Sequence, residues 1–424
     1  MKIFLDTVGC RLNQSEIEHM AAQFRAAGHT IVPAPAEADW VVVNTCAVTN
    51  EAASDSRQAI RHAARAGVKR IVATGCWATL NPLNAAALTA GVDVVHNDQK
   101  DQLVSSLLQI DVESLGMDER QSLPGDHSRT RSFLKVQDGC DNACTFCITH
   151  IARGLGRSRP MEDVIREVNL SLAGGAREII LTGVHLGSWG QDFSTRLHLR
   201  QLVETILERT AVPRLRLSSL EPWDLDSSFF NLWQDSRLCA HFHLPLQSGS
   251  AAILKRMARK ITPVGYQRLI EQIYEQVPGA AVTTDLIVGF PGEGGVEYEE
   301  SAAFVKKMQF AGGHVFHYSA RPGTVAARFD GQVAMKVSKQ RSAAMRSIFS
   351  EMAQSYRQRF CGSQMDVLWI SARKQANESW SMEGLTGNYL TVRASAPVNL
   401  WNQISRVRLH QVTSEGLLGE IAGY

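Results

Sequence analysis

Along the first part of the chain, short apolar runs alternate with longer stretches whose apolar positions fall at helical spacing. KIFLDTVG, ADWVVVNT, KRIVATG and VDVVHN read as strands, and QSEIEHMAAQFRAAG reads as a helix closed by glycine. This alternation predicts a small α/β domain on a parallel sheet over residues 1–115. The polar stretch GMDERQSLPGDHSRTR, with its Gly and Pro, predicts a linker over 116–130. Over 131–360 six further strand-like runs appear: SFLKVQ, REIILTG, RLRLSSL, HFHLPLQ, VTTDLIVG and GHVFHYS. Their centres, Leu134, Ile180, Leu215, His243, Ile287 and Val315, lie 28 to 46 residues apart, most pairs separated by a helix-like segment. Repeated β-then-α units of this kind predict a barrel with its chemistry at the carboxyl ends of the strands. Six units fall short of the usual closed form, so a partial (β/α)6 barrel is expected. Residues 335–360 read as a helix, with Met345, Ile348, Phe349 and Met352 on its core face. Beyond Gly362 the pattern changes to short runs between turn residues, a small all-β barrel over 361–424 of the type that binds oligonucleotides. The fold class is thus α/β, with an all-β unit at the carboxyl end.

A length of 424 residues with 44% hydrophobic positions supports two or three cores rather than one. The first residues, MKIFLDTVGCRLNQSEIEHM, break their apolar run at Asp6 and lack the features of a signal peptide. No run approaches the roughly 18 apolar residues of a membrane span. A soluble, cytoplasmic protein is expected. The net charge of +2 neither favours nor excludes a nucleic-acid partner. Locally the balance shifts: residues 129–160 carry six Arg or Lys against two Asp, and 331–360 carry six against one Glu. These stretches are either phosphate-facing patches or solvated faces. In the C-terminal unit the charges cancel.

Eight cysteines in a cytoplasmic chain do not make a disulfide framework. Cys239 and Cys361 read as ordinary buried thiols. GCDNACTFC places Cys140, Cys144 and Cys147 within eight residues, just beyond the first strand of the expected barrel. Three thiolates can hold one face of an iron–sulfur cube and leave the fourth iron open to a small molecule. A zinc site completed by His150 is the competing reading. Cys10, Cys46 and Cys76 are far apart in sequence, yet each follows an apolar strand with a similar ending: DTVGC, VNTC, ATGC. Ligands of open parallel sheets bind beyond the carboxyl ends of the strands, so these three thiols should converge there and hold a second cube. Three unconnected core cysteines are the alternative.

The CxxxCxxC pattern, with Phe146 before its last cysteine, resembles the signature of the radical-S-adenosylmethionine superfamily. TVGCRLNQSEIE, VVVNTCAVTNEA, ATGCWATLNP, FLKVQDGCDNACTFCITHIARGLGRSRP, TGVHLGSWGQD, SSLEP, HLPLQSGS, TTDLIVGFPGE and HYSARPGT together resemble the methylthiotransferases, in order and over nearly the whole chain. GCRLNQSE, NTCAVTNEA, SRQAIRHA and IARGLGRSR look most like the branch acting on N6-threonylcarbamoyladenosine in tRNA. The other branches act on isopentenyladenosine in tRNA or on an aspartate of a ribosomal protein; a non-catalytic, zinc-containing RNA-binding protein is the reading from outside the family. The resemblance implies an N-terminal domain with an auxiliary 4Fe-4S cluster, a radical-SAM partial barrel with a second, and a C-terminal TRAM-like domain. It implies two S-adenosylmethionines per turnover, one methylating a sulfur at the auxiliary cluster and one cleaved at the Cys140, Cys144 and Cys147 cluster. Implied partners are the tRNA anticodon stem-loop, an electron donor such as flavodoxin or ferredoxin, and a sulfur donor.

Phe146 of the cysteine loop and a set of strand-end residues are expected to meet S-adenosylmethionine: Thr182, Gly183 and Val184, then Glu221 and Gln247 at its ribose, and Ile287, Val288 and Gly289, the last offering bare backbone to an adenine. Arg153, Arg157 and Arg159 are candidates for RNA phosphate. Three positions depart from the family pattern: Ala251 where Asp is expected, Gly294 where Thr is usual and Asn402 where Gly is common.

Overall fold

The computed structural model describes residues 1–111 and 130–423; the linker expected over 116–130 lies outside the described residues except for Thr130. The chain forms two compact units, one of Met1–Ala143 with Cys147–His198 and one of Cys144–Phe146 with Leu199–Tyr424.

The first unit begins with a five-stranded sheet of β1 (Lys2–Thr7), β2 (Thr30–Ile31), β3 (Trp40–Thr45), β4 (Arg70–Gly75) and β5 (Val92–Val94), ordered β2-β1-β3-β4-β5. Every pairing is parallel. Successive valines of β3 enter opposite cores, which is why its sequence is apolar without alternation. Val42 packs with Ile17, Met20 and Phe24 of α1 (Arg11–Ala26) and with Leu103 of α5 (Leu103–Leu108). Val41 and Val43 pack with Ile60 of α2 (Asn50–Arg65), Trp77 of α3 (Cys76–Leu80) and Ala85 of α4 (Pro82–Ala86).

The same unit continues with β6 (Arg131–Lys135), the short pair β7 (Gln137–Asp138) and β8 (Arg157–Ser158), α6 (Ile148–Arg153), α7 (Met161–Ala173) and β9 (Glu178–Thr182). β6 runs parallel to β9. α1 lies against β6, and the Lys135 amide donates to the Ser15 hydroxyl at 2.8 Å.

The second unit carries α8 (Leu199–Arg209), β10 (Leu215–Leu217), β11 (His241–His243), α9 (Ala251–Arg256), α10 (Pro263–Gln276), β12 (Ala281–Val288), α11 (Gly295–Met308) and β13 (Gly312–His317). β11, β12 and β13 form a parallel sheet in that order, and single parallel bridges join Leu215 to Leu238 and Ser219 to His243. All six strands expected from the apolar runs are present. α12 (Met335–Gln358) buries Met345 and Phe349, as its stripe predicted, while Ile348 and Met352 are half-buried. A closed five-stranded barrel follows: β14 (Gln364–Lys374), β15 (Trp380–Thr386), β16 (Thr391–Ala396), β17 (Ile404–Val412) and β18 (Leu417–Ile421), ordered β14-β15-β16-β18-β17. Trp369 fills it, fully buried, with its indole N–H on the Ser405 hydroxyl at 3.0 Å. Asn402 adopts a left-handed φ of 63°, a backbone conformation that glycine and asparagine take more readily than other residues.

This barrel shares a compact unit with the preceding strands because buried arginines join them. The Arg214 and Arg216 guanidinium groups each donate at 2.9 Å, to the Leu385 and Gly387 carbonyls respectively. His241 stacks on Tyr389 with ring centroids 4.7 Å apart. Gly289 has a left-handed φ of 70°, and Ser338 of α12 occupies the space a Cβ would need, so the bare backbone expected there for adenine is already covered.

Asp285 of β12 lies between His243 Nε2 at 3.3 Å and His314 Nδ1 at 3.2 Å. Burial works against its charge, but the two imidazoles hold its carboxyl well below the usual range. A lowered carboxyl pKa contributes stability above the unfolded value of about 3.9, and that contribution is lost as pH falls towards the folded value. Asp285→Asn should therefore lower the thermal midpoint at neutral pH, with the deficit shrinking as the pH drops below about 4. In the C-terminal barrel, Trp369→Ala should cost about 3–5 kcal/mol in denaturant unfolding monitored through β-sheet circular dichroism.

Candidate cluster sites

Three strands of the first unit end level with one another: Thr7 is in register with Asn44, and Thr45 with Gly75. The residues just beyond those ends are Cys10 at the start of α1, Cys46 after β3 and Cys76 opening α3. Cys46 and Cys76 are buried, and Cys10 is exposed as a residue. All three thiols lie within electrostatic reach of one another. Burial pushes Cys46 up to about 11, and the protein behind Cys10 raises its thiol too. A bound metal would have to displace those protons.

The local backbone explains the placement. Gly9, Gly75 and Gly139 directly precede Cys10, Cys76 and Cys140, and all three have positive φ, at 98°, 92° and 69°. A Cβ on Gly9 would sit 2.6 Å from Cys46 Sγ, one on Gly75 would collide with the Thr45 backbone, and one on Gly139 with the Leu155 carbonyl. Thr45 Oγ1 donates to the Thr74 carbonyl at 2.5 Å and accepts from the Ala78 amide at 3.0 Å, pinning the ends of β3 and β4 together. Asn97 reaches Cys76 Sγ at 3.9 Å and the Ala152 carbonyl at 2.8 Å.

The loop 140–147 is built differently. In the first unit the Cys140 amide donates to the Gly154 carbonyl at 3.0 Å. The His150 ring lies 2.5 Å from the Cys140 carbonyl, so Nδ1 is occupied by backbone. Burial raises the Cys147 thiol, with Cys140 adding to the effect. In the second unit the Thr145 amide donates to the Met257 carbonyl at 3.1 Å, and its carbonyl accepts from the Ala326 amide at 2.8 Å. Phe146, expected at the cofactor, packs instead with Ile253, Met257, Phe290 and Ala326 as the loop's apolar anchor. Arg259 approaches Cys144 Sγ at 3.7 Å, lies over the Trp223 ring and grips both oxygens of Glu221 at 3.1 and 2.6 Å. Glu221, expected at a ribose, is thus engaged by an arginine.

Among the described residues no three His, Cys, Asp or Glu side chains converge on a point that would hold one metal ion. Thiolates of an iron–sulfur cube attach to different irons, so they need to face one shared volume rather than one point. An all-thiolate donor set opening on the level ends of three strands fits such a group.

The other expected site residues sit as follows. Thr182 is buried at the end of β9 with its carbonyl accepting from the Val136 amide, and Gly183 lies against Gln137. Gln247 has a left-handed φ of 72° and exchanges backbone hydrogen bonds with β12, through the Asp285 carbonyl and the Ile287 amide. Val288 is buried in the core. Cys239 is buried as expected, whereas Cys361 is half-buried.

Arg157 is exposed, and Arg159 is half-buried in an ion pair with Glu167. The expectation that Arg153 meets RNA phosphate is corrected. Its side chain is 1% exposed, and its guanidinium donates to Glu16 and Asp138, each at 2.9 Å, and to Asn13 Oδ1 at 2.8 Å. Around Glu16 also gather Lys100 at 2.9 Å and Lys135 at 3.5 Å. Burial alone would raise the Glu16 pKa, but Arg153, Lys100 and Lys135 together hold it well below the carboxylate range. Sequence reading missed this cluster. Its one available signal was a run of polar residues, NQSE, on a helix start that must be buried to place Cys10.

Comparison with known proteins adds the following. Residues 2–97 match the model of "Uncharacterized protein family UPF0004", and residues 134–305 match that of the Radical SAM superfamily. The chain is 34% identical to the threonylcarbamoyladenosine tRNA methylthiotransferase MtaB of Bacillus subtilis, over 95% of this chain and 92% of that protein. It is 33% identical to MtaB of Thermotoga maritima, over 98% and 95%. It is 30% identical to a tRNA-2-methylthio-N(6)-dimethylallyladenosine synthase of Bacillus subtilis, over 100% of this chain and 86% of that one. A solved radical S-adenosylmethionine methyltransferase, TsrM from Kitasatospora setae, shares the fold at a TM-score of 0.59 and 14% identity, covering 77% of this chain and 75% of its own. The chain belongs to the methylthiotransferase family of radical-S-adenosylmethionine enzymes, which transfer a methylthio group with the help of S-adenosylmethionine and a 4Fe-4S cluster.

Proposed function

We propose that this enzyme converts N6-threonylcarbamoyladenosine at position 37 of tRNA, next to the anticodon, to its 2-methylthio derivative. The observation that carries the reading is near-full-length identity of 32–34% to four threonylcarbamoyladenosine-specific relatives, against 30–31% to those named for dimethylallyladenosine. The proposal includes two 4Fe-4S clusters, one on Cys140, Cys144 and Cys147 and an auxiliary one on Cys10, Cys46 and Cys76. It also includes two S-adenosylmethionines per turnover, and a flavodoxin- or ferredoxin-type electron donor and a sulfur donor in the cytoplasm.

Bound iron–sulfur groups and S-adenosylmethionine would supply radical chemistry able to take hydrogen from adenine C2, a position no base can deprotonate. The protein's part is to hold and orient. Level strand ends present Cys10, Cys46 and Cys76 together. The loop 140–147 is fixed by its backbone hydrogen bonds and by the Phe146 ring, and Arg259 places positive charge beside Cys144. Thr182, Gly183 and Val184 in the first unit, and Gln247 and Ile287 in the second, are the strand-end positions proposed to meet S-adenosylmethionine. Arg157, exposed on β8, is proposed for RNA phosphate. The C-terminal barrel carries a balanced surface, with Arg393 paired to Glu383 and Glu415 and Arg406 to Asp366. Binding there would depend on base stacking and shape rather than on net charge.

Deleting the gene and analysing tRNA nucleosides by mass spectrometry tests the substrate. Loss of 2-methylthio-N6-threonylcarbamoyladenosine is expected; its persistence together with loss of the methylthio-isopentenyl nucleoside would assign the enzyme to the other branch. Cys46→Ala should reduce methylthiolation by at least 100-fold while 5′-deoxyadenosine is still released. Unchanged methylthiolation would remove the auxiliary cluster from the reaction.

A further inference from the structure

The buried ionic cluster in the first unit touches the backbone supports of both cysteine groups. Glu16 lies six residues after Cys10, Asn44 two before Cys46, Asp138 two before Cys140 and Arg153 six after Cys147. These residues meet in one place. Arg153 donates to Glu16, Asp138 and Asn13. Asn13 Nδ2 in turn donates to the Val8 carbonyl at 2.8 Å and the Thr45 carbonyl at 3.1 Å, the segments that carry Cys10 and Cys46. Lys100 bridges Glu16 at 2.9 Å and Asn44 Oδ1 at 3.1 Å, and Asn44 Nδ2 donates to the Asn13 carbonyl and to Glu16. Lys135 completes the cluster on the far side, with Asp101 at 2.6 Å and Asp138 at 3.4 Å.

Three cations (Arg153, Lys100 and Lys135) and three carboxylates share this space, with Glu16 and Asp138 buried and Asp101 more exposed at its edge. Burying so many charges is unfavourable unless the geometry is close to ideal and every lone pair is used. For packing alone an apolar cluster would serve as well. What charge adds is a field, and within the cluster Arg153 and Lys100 are the cations held by Asn13 and Asn44, which reach the segments that carry the thiols. Arg153 acts electrostatically on Cys10 and Cys46, and Cys76 acts on both Arg153 and Lys100; Lys135 is not among the leading influences on Cys10 or Cys46.

We propose that Arg153 and Lys100 are positioning residues for the auxiliary group on Cys10, Cys46 and Cys76: through Asn13 and Asn44 they fix the strand ends that carry the thiols, and their buried positive charge makes that group easier to reduce. This rests on the two-cluster reading above. A cation held beside an iron–sulfur group favours its more negative, reduced form, and removing the cation moves the potential downward. Lys135 supplies an internal control, because it belongs to the same ionic cluster but contacts Glu16, Asp101 and Asp138 rather than Asn13 or Asn44.

The test starts from a full-length chain with Cys140, Cys144 and Cys147 all changed to Ala, which leaves one cysteine trio for iron. After anaerobic reconstitution, iron is counted and the reduction potential is measured by dithionite titration followed by electron paramagnetic resonance. In this background Arg153→Met and Lys100→Met should each either lower the potential or lose iron from the trio, while Lys135→Met does neither and Arg153→Lys keeps most of the parent behaviour. If all three Met variants behave alike, or if none moves either readout, the ionic cluster is structural only and the proposal is overturned. If the triple-Ala background itself binds no iron, the two-cluster reading fails and takes this inference with it. Thermal unfolding of each apo-variant separates loss of fold from loss of iron: Lys135→Met should lower the unfolding midpoint as much as the other two, because each breaks a buried ionic contact.

Discussion

Parallel strands that end level with one another are the constraint on which the site depends. β1, β3 and β4 are central in their sheet and buried on both faces, so their register is set by apolar contacts to α1 and α5 on one side and to α2, α3 and α4 on the other. A slip of one residue would exchange the two faces of β3 and put its valines against the wrong helices. Because that is unfavourable, the three strand ends cannot drift, and neither can the cysteines that follow them. The three thiols thus gain a rigid support from an ordinary α/β core.

Electrostatics adds a second layer of order. The first helix has to bury Asn13, Ser15 and Glu16 in order to bring Cys10 to the sheet edge, and each polar group finds a partner: Arg153 for Asn13, the Lys135 amide for Ser15, three cations for Glu16. Those partners come from the segment around the CxxxCxxC loop and from Lys100, so the same contacts that satisfy the helix tie two parts of the sequence into one compact unit. In the second unit, buried arginines do comparable work at Leu385 and Gly387, where they join the terminal barrel to the strands before it.

The elements, and the placement of Cys10, Cys46 and Cys76 just past strand ends, were legible in the sequence because both depend on local pattern. Continuous apolar runs mark doubly buried strands, and a cysteine after each run marks a strand end. What was not legible depends on distant partners. Arg153 in ARGLGRSR looks like a surface residue until Glu16, 137 positions away, is seen beside it. Gly289 reads as room for a ligand, but the space belongs to Ser338 of a helix not yet formed when that strand is considered alone. Phe146 reads as part of a cofactor motif, whereas its ring finds Phe290 and Met257. Asn402 reads as a departure from an expected glycine, and its left-handed φ is one that asparagine tolerates.

The proposed chemistry needs two separate cysteine trios, each binding its own iron–sulfur group. Iron and acid-labile sulfide per chain, counted after anaerobic reconstitution, test this directly. About eight irons are expected, falling to about four when Cys10, Cys46 and Cys76 are all replaced by Ala. About four irons in both proteins would contradict it, because the auxiliary trio would then hold nothing.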